Sequence, residues 1–413
     1  MTKAKDYSSA QPMPAKMASI NPLNEAINEE GQAEEDSLYE DEMLDEAAAF
    51  AAQEQAPITV SIPYDMAKTR IDKTLAELIP QYSRARLQSW LENGRITLDG
   101  VVAKPKQTLY GGEVAVLTPE LSAEVLAYTP EPVEFPIVYE DDDILVVNKP
   151  AGLVVHPAAG NWSGTLLNGL LHRIPQLAHV PRAGIVHRLD KDTSGLMVVA
   201  KNLVAQTELV RQLQARTVTR RYLALVWGMA PEDGSVGFSI GRSQKDRLRM
   251  AAYRTTQAME WRHLPKAINP NTIKEARTHF KLIDMIEFET KIQPNAVSWI
   301  ECALETGRTH QIRVHMQAVG LPLVADPLYG GVLPISRIPF NASAAHELLL
   351  EKAGDAMISR QALHATFLQL IHPGTGKSME FEADLPDDLM ALSAALGFDT
   401  DMIFADPEWH PDE

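Results

Sequence analysis

The densest concentration of reactive side chains is His187-Arg188-Leu189-Asp190-Lys191-Asp192-Thr193-Ser194-Gly195, set directly before the apolar run Leu196 to Ala200. Catalytic groups concentrate in polar loops held by rigid scaffold elements, because the scaffold fixes a geometry that the loop exposes. Asp190 has Arg188 and Lys191 close by in sequence, and neighbouring positive charge favours an ionised carboxylate. Asp192 to Gly195 reads as a turn whose short polar side chains bond their own backbone.

A second polar segment runs Glu305-Thr306-Gly307-Arg308-Thr309-His310-Gln311-Ile312-Arg313-Val314-His315. A helix starting after Gly307 places Arg308, Gln311, Ile312 and His315 near one face. His310 and His315 are five apart, poor spacing for two ligands on one helical face. They read as hydrogen-bonding histidines and not as a metal pair. Cys302 is the only cysteine, which rules out a disulfide framework and a Cys-rich zinc site. No metal or cofactor is expected.

Several elements must position these groups. Apolar runs at Ile137-Val138, Ile144 to Val147, Leu153 to Val155, Leu196 to Ala200, Tyr222 to Trp227 and Ile300 to Leu304 predict strands. Glu140 to Asp143 forms a tight turn between the first two. Thr165 to His172, Asn202 to Leu213 and Thr309 to Val319 have helical character. Strands and helices are interspersed without regular βαβ alternation. That pattern predicts an α+β domain over residues 134–395 on a mixed, largely antiparallel sheet.

Upstream, residues 58–118 predict a small module. Arg70 to Ile79 has helical apolar spacing and stops at Pro80. Ser83 is placed to cap a second helix that ends at Asn93-Gly94. Asp99-Gly100 joins two short strands, and Val114 to Leu117 forms another. Arg70, Lys73, Arg84, Arg86, Arg95, Lys104 and Lys106 occupy the polar positions. Two short helices and a hairpin studded with Arg and Lys are similar to an S4-type RNA-binding domain. Residues 119–133, with Pro119, Pro130 and Pro132, read as a linker.

The chain has 413 residues, 45 % of them apolar, and a net charge of −17. That total hides a contrast. Residues 1–57 and 381–413 carry −10 each, which leaves +3 for residues 58–380. The local field, not the total, steers a polyanion. Residues 1–57 are acidic and poor in aromatics, the composition of a disordered extension, and residues 396–413 read as an acidic C-terminal tail. No apolar run is long enough for a bilayer and no leader segment is evident. A cytoplasmic monomer is expected.

Several motifs carry a closer resemblance. His187 to Asp190 followed by Lys191 to Gly195 resembles the catalytic motif of the A-type ribosomal pseudouridine synthase family. Asn148-Lys149-Pro150 through His156-Pro157, Arg220-Arg221-Tyr222 through Gly228, Thr306 to His315 with Ala325 to Gly330, and Arg360 to Ala365 resemble its other motifs, in order. The resemblance covers roughly residues 60–395, through both the S4-like module and the large domain. The resemblance implies a cofactor-free isomerisation of uridine to pseudouridine in 23S ribosomal RNA of the large subunit, in the helix 69 stem-loop, on the RNA or a pre-ribosomal particle. It implies Asp190, Tyr222 and Arg313 as the catalytic set. Arg313 would pair with Asp190, and Tyr222 would stack on the uracil. Arg188 would fill the gap left by the flipped base and Ile312 would wall the pocket. Lys149, His187 and Arg308 would complete the substrate contacts, and Arg70, Arg84, Arg86, Lys104 and Lys106 would bind RNA.

Other readings fit parts of the chain. The module alone suits a non-catalytic ribosome-assembly factor. The same chemistry could act on transfer RNA or other ribosomal sites. A glycosidase using Asp190 and Glu305 would need a pair of carboxylates at defined separation and leaves the basic module unexplained.

Overall fold

A computed structural model describes residues 57–119, 127–158, 160–246, 248–254, 264–267, 269–289, 295–330, 342–406 and 409. The acidic extension before Pro57 lies outside them. So do the core of the linker and parts of the segments 255–275 and 290–298.

The first unit contains β1 (Ile58–Ser61), α1 (Ile71–Leu78), α2 (Arg84–Glu92), β2 (Ile96–Leu98), β3 (Val101–Val102) and β4 (Val114–Leu117). Its sheet is antiparallel in the order β1-β4-β2-β3. Ser83 caps α2 by accepting the Arg86 N–H at 3.3 Å. Asp99 and Gly100 both have positive φ, 49° and 82°, the conformation a two-residue hairpin turn needs. Ile71, Leu75, Leu87, Trp90 and Leu91 fill the space between helices and sheet.

The second unit is built on β5 (Ile137–Glu140), β6 (Ile144–Lys149), β7 (Ser194–Ala200), β8 (Thr219–Trp227), β9 (Asp233–Val236), β13 (Thr278–Glu287), β14 (Ala296–Leu304), β15 (Leu363–Ile371) and β16 (Ser378–Glu382). They form one sheet in the order β5-β6-β7-β15-β8-β14-β13-β9, with β16 on β15. The β7–β15 pair is parallel and the others are antiparallel. β10 (Ser239–Arg242), β11 (Met250–Tyr253) and β12 (Ile273–Lys274) make a second, three-stranded sheet. The mixed, largely antiparallel α+β architecture is the one expected.

Both faces of the large sheet are covered. Tyr222, Ala224 and Val226 enter one core, while Leu223, Leu225 and Trp227 enter the other. Along a strand, alternate residues face opposite ways. Helices α3 (Leu166–Arg173), α4 (Leu203–Gln214), α5 (Gln311–Ala318), α6 (Ala342–Ala353) and α7 (Asp387–Leu396) supply the covering layers. Thr165 and Asn168 form a capping box on α3, and Asn202 caps α4.

Two expectations are corrected. Leu153 to Val155 is not a strand. The Val154 and Val155 carbonyls instead accept from Leu166 and Leu167 at the start of α3, satisfying N–H groups that a helix N-terminus leaves open. Residues 396–406 of the expected C-terminal tail pack onto the domain. Phe398 and Ile403 are buried against Leu389, Leu392 and Leu396, and the Asp406 carboxylate meets Lys281 at 2.6 Å. The tail's six acids obscure the apolar spacing that anchors it.

Candidate active site

Asp190 sits in the loop leading into β7, its side chain 19 % exposed. Buried cations hold that loop from beneath. Lys149 Nζ donates to the carbonyls of Pro150, Leu153 and Lys191 at 2.8, 2.8 and 2.9 Å. Arg360 Nη1 donates to the Asp192 carbonyl at 3.2 Å, while its other edge is locked on Asp388 at 2.6 and 2.8 Å. Gln361 donates to Thr193 Oγ1 at 3.1 Å, and Ser194 Oγ bonds His364 Nδ1 at 2.9 Å. Thr193 N–H also bonds the Asp190 carbonyl. The expected turn over Asp192 to Gly195 is corrected: its backbone closes on Asp190, Ser194 and Gly195 already belong to β7, and the Thr193 and Ser194 side chains bond Gln361 and His364 instead of their own backbone. Gly195 follows at φ 118°, and a Cβ there would lie 2.1 Å from the Ala365 carbonyl oxygen. Only glycine permits β15 to approach so closely.

Arg313 reaches Asp190 from α5. Its Nη1 donates to Asp190 Oδ2 at 2.8 Å, and its Nε and Nη2 bind Asp326 at 2.7 and 3.0 Å. Asp326 is fully buried, and one of its oxygens also accepts the N–H groups of Leu328 and Tyr329. The bidentate face of the guanidinium is thus spent on Asp326 and a single N–H is left to aim at Asp190. Burial alone would lower the Arg313 pKa, but the two carboxylates outweigh it and push it up.

His310 stands at the start of α5 with φ 57° and ψ 24°. This left-handed conformation is costly for a residue with a side chain and recurs where function demands a geometry. Its Nδ1 lies 2.8 Å from the Tyr329 hydroxyl, and its Nε2 lies 3.9 Å from Asp190 Oδ1. The Tyr329 hydroxyl accepts the Met250 N–H at 2.9 Å. The network is satisfied when Tyr329 donates to His310 Nδ1, leaving a proton on Nε2 facing Asp190.

Tyr222 lies on β8, in register with Cys302 on one side and Ala365 on the other. Burial raises its pKa, and the Asp190 charge adds to this against Arg220. Its hydroxyl has no partner among the described residues. Arg188 is exposed and likewise unpartnered among them. Ile312 is buried in the same core as Tyr222. Arg308 Nε donates to the Glu275 carbonyl at 3.2 Å.

Two residues assigned to substrate do other work. The three protons of Lys149 are consumed by carbonyls, and burial pushes its pKa down to about 7 against the pull of Asp192 and Asp190. His187 Nε2 accepts the Val198 N–H at 3.1 Å, so the histidine ties the loop to β7. Asp326, Tyr329 and Arg360 were missed as site residues. Each lies within a segment recognised from its motif, but only contacts across the fold give them a task. On the small module, Arg70 and Arg84 converge on buried Asp72. Arg86 lies 5.5 Å from the Tyr82 ring centre and 5.3 Å from that of Trp90. Lys104 and Lys106 are exposed.

The histidines buried around the site make an acid-sensitive core. Burial, with Arg182 and Arg188, holds His156 at about 3, and burial with Arg220 does the same for His187. Burial holds His315 and His364 at about 4. The unfolded chain binds these protons near pH 6.5 and the folded one does not. The stability that these neutral histidines contribute is therefore full above about pH 6.5 and falls towards pH 4, by up to ~1.4 kcal/mol per pH unit for each histidine. In urea unfolding, His187→Gln is expected to flatten that slope. A free energy that stays constant across this window would refute the assignment of neutral histidines.

The pairing of Arg313 with Asp190 that the motifs implied is present. The profile described as RNA pseudouridylate synthase matches residues 143–318, and the S4 domain matches residues 69–114. The chain belongs to the RNA pseudouridine synthase family. It is 47 % identical over 348 residues to ribosomal large subunit pseudouridine synthase D of Neisseria meningitidis serogroup B, covering 84 % of each chain. The protein of the same name from Nitrosomonas europaea is 42 % identical over 374 residues, 91 % of this chain and 96 % of the relative. That from Pseudomonas aeruginosa is 44 % identical over 335 residues, 81 % of this chain and 94 % of the relative.

Proposed function

We propose that this enzyme isomerises uridines in 23S ribosomal RNA of the large ribosomal subunit, in the helix 69 stem-loop, acting as a monomer in the cytoplasm. The observation that carries the chemistry is the Arg313–Asp190 contact at 2.8 Å on a loop that stays open to solvent. The names of the relatives and the S4 domain support a ribosomal RNA substrate. Among the described residues, no helix is long and apolar enough to cross a membrane.

The target nucleotide must leave its stack before a side chain can reach its sugar. Arg188, exposed and uncommitted next to Asp190, occupies the space the base vacates. The uracil stacks on the Tyr222 ring against Ile312. Asp190, ionised and aimed by Arg313, attacks the sugar or takes its proton as the C1′–N1 bond breaks. The uracil turns and C5 bonds C1′ as the Asp190–C1′ bond breaks or, in the second route, as Asp190 returns the proton to the sugar. The C5 proton then leaves as N1 takes one up, and the Tyr222 hydroxyl, without a partner among the described residues, is placed to relay it. Atoms balance without an oxidant or reductant.

Tyr222→Phe keeps the stacking face and deletes the hydroxyl. It is expected to bind RNA within about twofold of the parent while product formation drops ~10²-fold or more, the usual scale of a lost acid–base group. Single-turnover assays with parallel binding titrations separate the two, and near-parental rates would restrict Tyr222 to stacking. The substrate assignment is tested by mapping pseudouridines in ribosomal RNA from cells lacking the gene. It predicts loss confined to the helix 69 loop, and an unchanged ribosomal RNA map would point to transfer RNA.

A further inference from the structure

Asp72 is the most heavily committed carboxylate of the small module. It is fully buried, yet its partners are half in solvent: the Arg70 and Arg84 side chains are 46 % and 51 % exposed. Arg70 donates Nε to Asp72 Oδ1 at 2.9 Å and Nη2 to Oδ2 at 3.1 Å. Arg84 donates Nε and Nη2 to Oδ2 at 2.9 and 2.7 Å, and Gln88 adds an amide N–H at 2.7 Å. Burial alone would raise the Asp72 pKa, but the bonds from Gln88, Arg84 and Arg70 outweigh it and hold it at about 2.

Each guanidinium spends its Nε–Nη2 edge on Asp72. The Nη1 groups of both have no partner among the described residues. Arg70 is the N-cap of α1 and Arg84 the first residue of α2. Cations at helix N-termini face an unfavourable dipole, so the two arginines are not placed there for helix stability. A free arginine loses rotamer freedom when it docks on a phosphate. Here one carboxylate has already ordered two of them with their outer edges unused.

We propose that Asp72 is a positioning residue for RNA binding, which presents Arg70 and Arg84 as a pre-ordered fork pair for backbone phosphate. The proposal rests on the reading of Arg70 and Arg84 as RNA contacts. It also runs against simple electrostatics, because deleting an acid next to a polyanion site should tighten binding.

The test is titration of the full chain with a 23S ribosomal RNA transcript between about 50 and 200 mM salt. Asp72→Asn removes the charge, and Asp72→Glu keeps it but shifts the carboxylate by one methylene. Both are expected to weaken binding about fivefold or more, with a salt slope shallower by about 1. Equal or tighter binding by Asp72→Asn overturns the proposal. Arg84→Lys, on the surface, keeps the charge without the fork and provides a reading even if the Asp72 variants unfold. It must weaken binding by a similar factor, and parental affinity would also overturn the proposal. The Arg70→Gln/Arg84→Gln double variant tests the underlying assignment. If it binds as the parent does, these arginines do not touch RNA. If it binds weakly while Asp72→Asn and Asp72→Glu do not, only the positioning role fails.

Discussion

Asp190→Asn is expected to yield a folded, RNA-binding protein whose turnover is lower by ~10⁴-fold or more, the scale seen when a reacting carboxylate or nucleophile is removed. Asparagine has the same shape, and its oxygen can still accept the Arg313 Nη1 hydrogen that Asp190 Oδ2 accepts at 2.8 Å. The loop does not depend on the Asp190 side chain, because Lys149 and Arg360 hold it through the carbonyls of Lys191 and Asp192. Arg313 keeps its other carboxylate in Asp326. Stability should therefore change by no more than ~1 kcal/mol, in line with a partly exposed substitution. Single-turnover pseudouridine formation, a binding titration and a thermal melt read the three quantities. Turnover within ~10²-fold of the parent from a well-folded variant is incompatible with the chemical role of Asp190.

Asp326→Asn is expected to damage both stability and catalysis. Asp326 accepts four hydrogen bonds, two from Arg313 and one each from Leu328 and Tyr329 N–H. An asparagine amide would turn its N–H₂ towards one of these donors. It would also leave a guanidinium that is only 5 % exposed with a single, partly solvated counter-charge. Breaking a buried pair on one side costs ~3–5 kcal/mol. Arg313 would also lose the anchor that aims Nη1, and a misplacement of about 1 Å can cost ~10² in rate. Urea unfolding gives the first effect, and turnover at a temperature where circular dichroism shows native structure gives the second. A variant within ~1 kcal/mol of the parent and fully active would show that Arg313 needs no such anchor.

The placement of Asp190, Tyr222 and Arg313 in separate motifs was legible, because each motif is a local string of residue types. So were Ser83 as a cap and Asp99-Gly100 as a turn, whose chemistry is decided within a few residues. The central strands were harder. Every residue of β7 is buried, as expected when both faces of a sheet are covered, so period-two alternation is absent. β13 and β15 were not anticipated. Leu153 to Val155 looks like a strand by composition, yet its carbonyls serve the start of α3 and the Lys149 ammonium.

Sequence alone determined the reaction's candidate carboxylate, the two-unit α+β plan and the basic character of the module, since residue types and short spacings carry that information. Tertiary structure decided which charged groups reach Asp190 and which hold the frame. Lys149 and Arg313 are equally cationic in sequence, but Lys149 points all three donors into backbone carbonyls, whereas Arg313 keeps one N–H for Asp190. Their pairings join residues such as Asp190 with Arg313 and Lys149 with Lys191, brought together only by strand order. A charge buried at such a junction must be satisfied by whatever groups the fold delivers, and no local pattern specifies those partners.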